Sequence, residues 1–197
     1  MSAAPEVTPS GFEPEPTRFR QVLGHFCTGV TVITTVDEDG PAGFACQSFA
    51  AVSLEPPLVL FCPSRTSRTW PRVERTGYFC ANLLTAGQRE LARIFGGATA
   101  VTGADKFAGV SWSPSPSTGA PVLDGVLTWV GATVEAVHEA GDHYVVLGRV
   151  QELGTCDAEQ PLLFYRGRYA STQHRPADGP PEIVDTLLAW PRHADWM

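Results

Sequence analysis

Hydrophobic positions change period several times along the chain, and each change marks an element. After Thr17, a candidate helix cap, Phe19, Val22, Leu23 and Phe26 fall at i, i+3, i+4 and i+7, one face of a helix that Gly29 stops. From Val30 the run VTVITTV is β-branched at nearly every position and predicts a strand, with DEDGPAG as the turn after it. GFACQSFAAVSL continues in extended form, sending Gln47, Phe49 and Ala51 to one side and Ser48, Ala50 and Val52 to the other. Pro56 and Pro57 end it, and LVLFC (58–62) is a short apolar strand. The polar loop PSRTSRTW leads into a short helix ending near Gly77, and YFCANLL (78–84) is the next strand. Thr85 and Gln88 make a capping box for a helix whose apolar face is Leu91, Ile94 and Phe95. Residues 96–121, rich in Gly, Ser and Pro, form an excursion around DKFAG. VLTWVGATVEAVHEA (126–140) and HYVVLGRVQEL (143–153) are long strands joined at Gly141 and Asp142, and LLFYRGRY (162–169) is the last strand.

This pattern divides the chain into a disordered leader (1–16), a folded domain (17–170) and a C-terminal extension (171–197). The leader carries four prolines and three glutamates and almost nothing apolar. In the extension, Ile183, Val184, Leu187 and Leu188 have the spacing of a short docking helix. The lack of consistent β-α-β alternation argues against a doubly wound parallel sheet. A mainly β, antiparallel barrel with a few peripheral helices is expected.

Composition narrows the classes further. With 43% hydrophobic and 18% charged residues among 197, the chain buries a true core. Its net charge of −7 argues against nucleic acid or an anionic membrane as partner, but leaves room for a small phosphorylated ligand held by local donors. No apolar run is long enough to span a bilayer, and the N-terminus lacks the features of a secretory signal. Cysteines 27, 46, 62, 80 and 156, with no C-x-x-C, read as thiols of a reducing cytosol, so the expected location is cytoplasmic. Dinucleotide, P-loop, zincin and nucleophile-elbow motifs are all missing, and no histidine cluster has metal-ligand spacing.

Two segments carry candidate chemistry. CPSRTSR (62–68) gathers three hydroxyls and two arginines directly after a strand. A helix capped there by Ser67 or Thr69 adds backbone N–H groups, the donor set a terminal phosphate needs. A solvated loop with an ordinary cap accounts for the same residues. CQSFAAVS (46–53) interleaves small residues with Gln and Ser, which lets a flat polar ring lie against the backbone; a half-buried edge strand has the same composition.

FRQVLGHFCTGVTVITT, GFACQSFAAVSLEPPLVLFC, the GDH at 141–143 and PLLFYRGRY occur together in one order over residues 18–170. In this the chain resembles the short-chain flavin reductase family, whose fold is the FMN-binding split barrel, a Greek-key antiparallel barrel. DKFAGVSW and the Trp-containing extension are similar to reductase components of two-component monooxygenases acting on steroid-derived phenols. The resemblance implies an NADH-dependent reductase of FMN, or of FAD, that works as a homodimer and supplies reduced flavin to a flavin-dependent oxygenase.

It also implies site residues. Val30 and Thr31 match positions beside the isoalloxazine; Cys46, Gln47 and Ser48 match the segment on the ring and ribityl chain, continued by Ala51, Val52 and Ser53. Cys62, Pro63, Ser64 and Ser67 match the phosphate segment, with Arg65 or Arg68 as countercharge and Lys106 as a second candidate. His143 closes the GDH motif linked to the nicotinamide, and Tyr169 is a further nicotinamide candidate. Gln47 and Ser48 stand where many relatives carry Asn-Ala, which leaves FMN against FAD open. No side chain is expected to act as acid or base, because the cofactors carry the chemistry. A non-catalytic flavin store or sensor of the same fold, an oxidase of a phosphorylated amine and a scaffold subunit are the rival readings.

Overall fold

The computed structural model describes residues 14–97, 103–155 and 160–172. The expected docking helix, Trp190, Trp196 and Cys156 lie outside the described residues, as does most of the leader. In chain order the elements are α1 (Pro16–Leu23), β1 (Thr28–Gly29), β2 (Thr31–Asp37), β3 (Gly40–Cys46), β4 (Ala50–Leu54), β5 (Pro57–Phe61), α2 (Trp70–Thr76), β6 (Tyr78–Leu83) and α3 (Arg89–Phe95). A 3₁₀ turn (Gly103–Phe107) follows, then β7 (Trp112–Pro114), β8 (Pro121–Leu123), β9 (Thr128–Ala140), β10 (His143–Leu153), β11 (Leu162–Tyr165) and β12 (Arg168–Ser171).

Seven strands form one antiparallel sheet in the order β3-β2-β6-β9-β10-β5-β4; β1-β11-β12 and β7-β8 are small satellites. This is the mainly β antiparallel barrel that the strand pattern predicted, in the split form that the resemblance implied. The apolar faces of β2, β5, β6, β9 and β10 enclose Ile33, Phe61, Phe79, Ala132 and Val146, all fully buried. A second core lies outside the barrel, where Val32, Leu84, Phe95, Leu123 and Leu162 pack α3 and the satellites against it. Asn82, the chain's sole asparagine, joins the two bodies. Its amide donates to the Val32 carbonyl, the Thr34 hydroxyl and the Pro121 carbonyl at 3.1–3.2 Å, and its oxygen accepts the Leu123 N–H at 2.8 Å. A fully buried amide is tolerable only because its donors and its acceptor are matched in this way.

Four local expectations need correction. The first helix is capped by Glu15, not Thr17: its carboxylate accepts the N–H groups of Thr17 and Arg18 at 3.0 and 2.9 Å, and the helix ends at Gly24 rather than Gly29. Pro16 begins α1 because a first-turn proline gives up only an N–H that had no partner in the helix. GFACQSFAAVSL is two strands, not one: the ladder stops after Cys46 and resumes at Ala50, so residues 47–49 leave the sheet and the alternation breaks. LLFYRGRY is a hairpin rather than a last strand, with Arg166 and Gly167 at φ 49° and 76°, the pair of left-handed residues a tight I′ turn requires. The capping box forms by half: Gln88 accepts the Thr85 N–H at 3.0 Å, but α3 takes Gln88 itself as cap.

The apolar face of α1 is not in the core. Phe19, Val22 and Leu23 are 51–61% exposed, as is Phe26 beyond the helix end, at 76%, whereas Thr17, Arg20, Gln21 and Gly24 turn toward the 166–167 turn.

At the other end of β2, the Asp37 side chain is 7% exposed and held by Arg72 and Arg75. The Arg72 hydrogen bond outweighs the opposing effect of burial, and Arg75 adds to it, so the carboxyl titrates at about 2 rather than 3.8. A depressed folded value stabilises the fold above the unfolded value. About 2 kcal/mol of stability should therefore disappear as pH falls from near 4 through 2, and an Asp37→Asn variant should show a flatter stability profile over that window. Urea unfolding at a series of pH values checks this; parallel profiles would refute it.

Candidate active site

The seven-stranded sheet does not close fully, and the exits of β3 and β5 meet at its seam. There, segments from five places in the sequence line a cleft of about 950 Å³. Its floor is the end of β3 and the broken stretch after it, contributing Cys46, Gln47 and Ser48. One wall is the loop after β5, with Cys62, Pro63, Ser64, Ser67 and Arg68. The other is the end of α3 and the 3₁₀ turn, with Phe95, Gly96, Gly97, Gly103 and Lys106; His143 stands at the rim.

Ser48 ties floor to wall: its hydroxyl accepts the Cys62 N–H at 2.8 Å and lies 3.2 Å from the Cys46 sulfur. Burial pushes the Cys46 thiol above its ordinary range, so it stays protonated. Gln47 is exposed to the cleft and its side-chain amide makes no hydrogen bond within the described residues, leaving a donor and an acceptor free.

The wall loop is fastened to the β9–β10 hairpin. The Arg65 N–H donates to the Asp142 carbonyl at 2.9 Å, the Tyr144 N–H donates to the Pro63 carbonyl at 3.0 Å, and Ser64 bridges to His143. Arg65 itself points away from the cleft, reaching Glu139 and the Gly141 carbonyl at 3.5 Å and lying over the Tyr144 ring. The Ser67 hydroxyl accepts the N–H groups of Thr69 and Trp70, so the first turn of α2 is already satisfied and does not offer the free N–H groups expected of it. The His143 ring is set by Asp142, whose carboxylate is 2.7 Å from Nδ1, which leaves Nε2 for a ligand.

Two cations face the cleft without a carboxylate partner among the described residues, Arg68 and Lys106. The Lys106 ammonium is 3.4 and 3.3 Å from the carbonyls of Gly43 and Phe95. Burial lowers its pKa, and Arg68 nearby lowers it further. Arg72 also reaches the cleft, but Asp37 neutralises it. In a chain of net charge −7, two fixed and uncompensated positive charges mark a place for an anion.

Of the expected site residues, ten therefore share this cleft. Val30 and Thr31 do not line it: both are buried, Val30 between β1 and β2 and Thr31 at the start of β2 as the ladder partner of Cys46. Ala51, Val52 and Ser53 lie outside it on edge strand β4, and Tyr169 packs on Phe164 beside a separate shallow pocket. Phe95, Gly96, Gly97, Gly103 and Arg72 line the cleft although no motif singled them out; the paired glycines ending α3 were the available signal. No group of three or more metal-ligating side chains occurs among the described residues, and none of their helices is long and apolar enough to cross a membrane. The cleft offers cations, hydroxyls and a free amide, which suits holding a phosphorylated planar molecule rather than acid–base catalysis on it.

Comparison with known proteins agrees with this chemistry. The reductase subunit HsaB of a flavin-dependent monooxygenase from Rhodococcus jostii is 54% identical over 81% of this chain and 79% of its own length. Among solved structures, a nitrilotriacetate monooxygenase component B homologue from Mycobacterium thermoresistibile superposes with a TM-score of 0.76 at 47% identity, covering 87% of this chain and 96% of the other. The Streptomyces globisporus NADH:FAD oxidoreductase SgcE6 reaches the same TM-score at 32% identity, over 84% of this chain and all of that one. The flavin reductase like domain family matches residues 23–173, and with the fold and cleft in agreement the chain belongs to that family of flavin reductases.

Proposed function

We infer that the cleft binds FMN, with FAD as the alternative flavin, and that the protein reduces it with NADH for release to a separate flavin-dependent oxygenase. The donor set fits a flavin: Gln47 and the backbone near it would meet the ring, and Ser64, Arg68 and Lys106 would surround the phosphate. When both cofactors are bound, the chemistry they supply is a two-electron transfer from dihydronicotinamide to flavin. The chain's own part is placement. His143 would hold the nicotinamide end, and its hairpin is hydrogen-bonded to the loop that would hold the flavin phosphate, so both ligands would be positioned by one joined unit of backbone. That junction is the observation that carries the reading.

The exposed apolar face of α1 and the edge strand β4, with Leu54 63% exposed, support a homodimer that would cover them. A reducing cytoplasm suits the free thiols among the described residues. The likeness of DKFAGVSW to steroid-pathway reductases supports an oxygenase that works on steroid-derived aromatics.

Anaerobic addition of NADH to the protein with excess FMN should bleach many flavins per chain. His143→Ala should raise KM for NADH by roughly tenfold while leaving FMN binding unchanged, the loss expected for one hydrogen-bonding and stacking contact. Flavin that binds but is not bleached would overturn the reductase reading, and an unchanged KM in the variant would remove His143 from the nicotinamide site.

A further inference from the structure

β3 and β5 are separated in the sheet by four strands, β2, β6, β9 and β10, yet the residues at their exits line one cleft and are hydrogen-bonded together. The meeting point is a pair of cysteines. Cys46 ends β3, Cys62 follows β5, and one hydroxyl serves both: Ser48 Oγ is 3.2 Å from the Cys46 sulfur and 2.8 Å from the Cys62 backbone nitrogen. Both residues line the cleft, Cys46 only 6% exposed and Cys62 partly open to it. The other described thiols are not placed this way. Cys27 is on the surface, and Cys80 is fully enclosed with its pKa pushed up to about 12, chiefly by burial.

We propose that Cys46 and Cys62 are a peroxide-sensitive thiol pair that forms a disulfide across the seam when the cleft holds no flavin, and that this bond shuts the cleft to flavin. It rests on the reductase reading for its oxidant: reduced flavin that escapes the oxygenase reacts with dioxygen and yields hydrogen peroxide. The Cys62 thiolate, on the open wall, attacks the peroxide; an S–O bond forms, the O–O bond breaks, and hydroxide leaves and is protonated to water. The Cys46 sulfur then attacks the sulfenic sulfur of Cys62. An S–S bond forms, the S–O bond breaks, and the Cys46 proton leaves with the hydroxyl as a second water. Two thiols and one peroxide become one disulfide and two waters. The Ser48 hydroxyl, 3.2 Å from the Cys46 sulfur, is placed to hydrogen-bond that thiol and relay its proton to the leaving hydroxyl. The bond would join floor to wall where the flavin must enter, and a cytosolic thiol pool would reverse it. Reductase output would thus fall when its product meets oxygen instead of the oxygenase.

The test uses the full chain, reduced, freed of flavin and exposed to a few equivalents of hydrogen peroxide. Intact mass should fall by about 2 Da, and dithiothreitol should restore it. No Lys or Arg lies between Arg20 and Arg65, so trypsin leaves both cysteines on one peptide; chymotrypsin, cutting after Phe49 and Phe61, should release a cross-linked pair. Saturating FMN should prevent the reaction, and the oxidised protein should bind FMN more weakly by roughly tenfold or more. In Cys46→Ser, dimedone should trap Cys62 as the sulfenic acid, because the resolving thiol is gone. A wild-type digest without the 46–62 link, a link that forms equally with FMN bound, or unchanged FMN affinity after oxidation would each overturn the proposal. None of these readouts requires turnover, so failure of NADH to bleach flavin would be seen separately as failure of the reductase reading.

Discussion

Lys106→Met should weaken FMN binding by roughly 10- to 100-fold and leave riboflavin, which lacks the phosphate, bound as in the wild type. The ammonium is held near two backbone carbonyls on the wall facing the 62–68 loop, half-buried and beside Arg68, with no carboxylate to neutralise it. Two like charges in a cleft cost stability unless an anion compensates them, and a phosphate at that point would relieve both. The ammonium also lies 6.0 Å from the Phe95 ring centroid, and methionine keeps a side chain of similar length and apolar stem while removing the charge. Fluorescence titration with the two flavins measures the difference. Equal weakening for both would make Lys106 a structural residue, and no weakening for either would move the phosphate elsewhere.

Gly148→Ala should destabilise the fold by about 2–4 kcal/mol, lowering Tm by roughly 5–12 °C. A Cβ on Gly148 would overlap Cζ of Phe79 and sit 2.8 Å from its Cε1. Phe79 is fully buried and packs edge-on against Phe61 at 4.8 Å, so the ring has nowhere to retreat. Gly148 also sits at a register shift between β10 and β9 while remaining paired with Val59 of β5, which means a displaced β10 would disturb both neighbours. Adding Phe79→Leu to the alanine variant should recover part of the loss by shortening the side chain that clashes. Thermal melts of the two variants check the account, and wild-type stability in Gly148→Ala would refute it.

Legibility in the sequence followed how local each signal was. The bounds of β10 and the turn at Gly141 and Asp142 were readable because alternation and turn residues coincide there. The hairpin inside LLFYRGRY was hidden because Arg166 takes a left-handed conformation that its residue type does not advertise. The break after Cys46 was masked by residues that suit a strand equally well, though it is this break that frees Gln47 and Ser48 from the ladder. The hydroxyl-rich loop was visible as a motif, but its fastening to the hairpin depends on backbone groups that carry no side-chain signature. The helical period of Phe19, Val22 and Leu23 was correctly read as one face, but Phe26 lies beyond the helix end. Which way that face points is set by tertiary packing, and in the single chain it points outward.

The fastening of residues 63–65 to residues 142–144 also bears on redesign. Because main-chain bonds hold these two stretches, neither can be lengthened or exchanged for a homologous segment without dragging the other with it. An engineer seeking a different nicotinamide donor or flavin would do better to transplant loop and hairpin as a single cassette, and to restrict point changes to side chains that project from it.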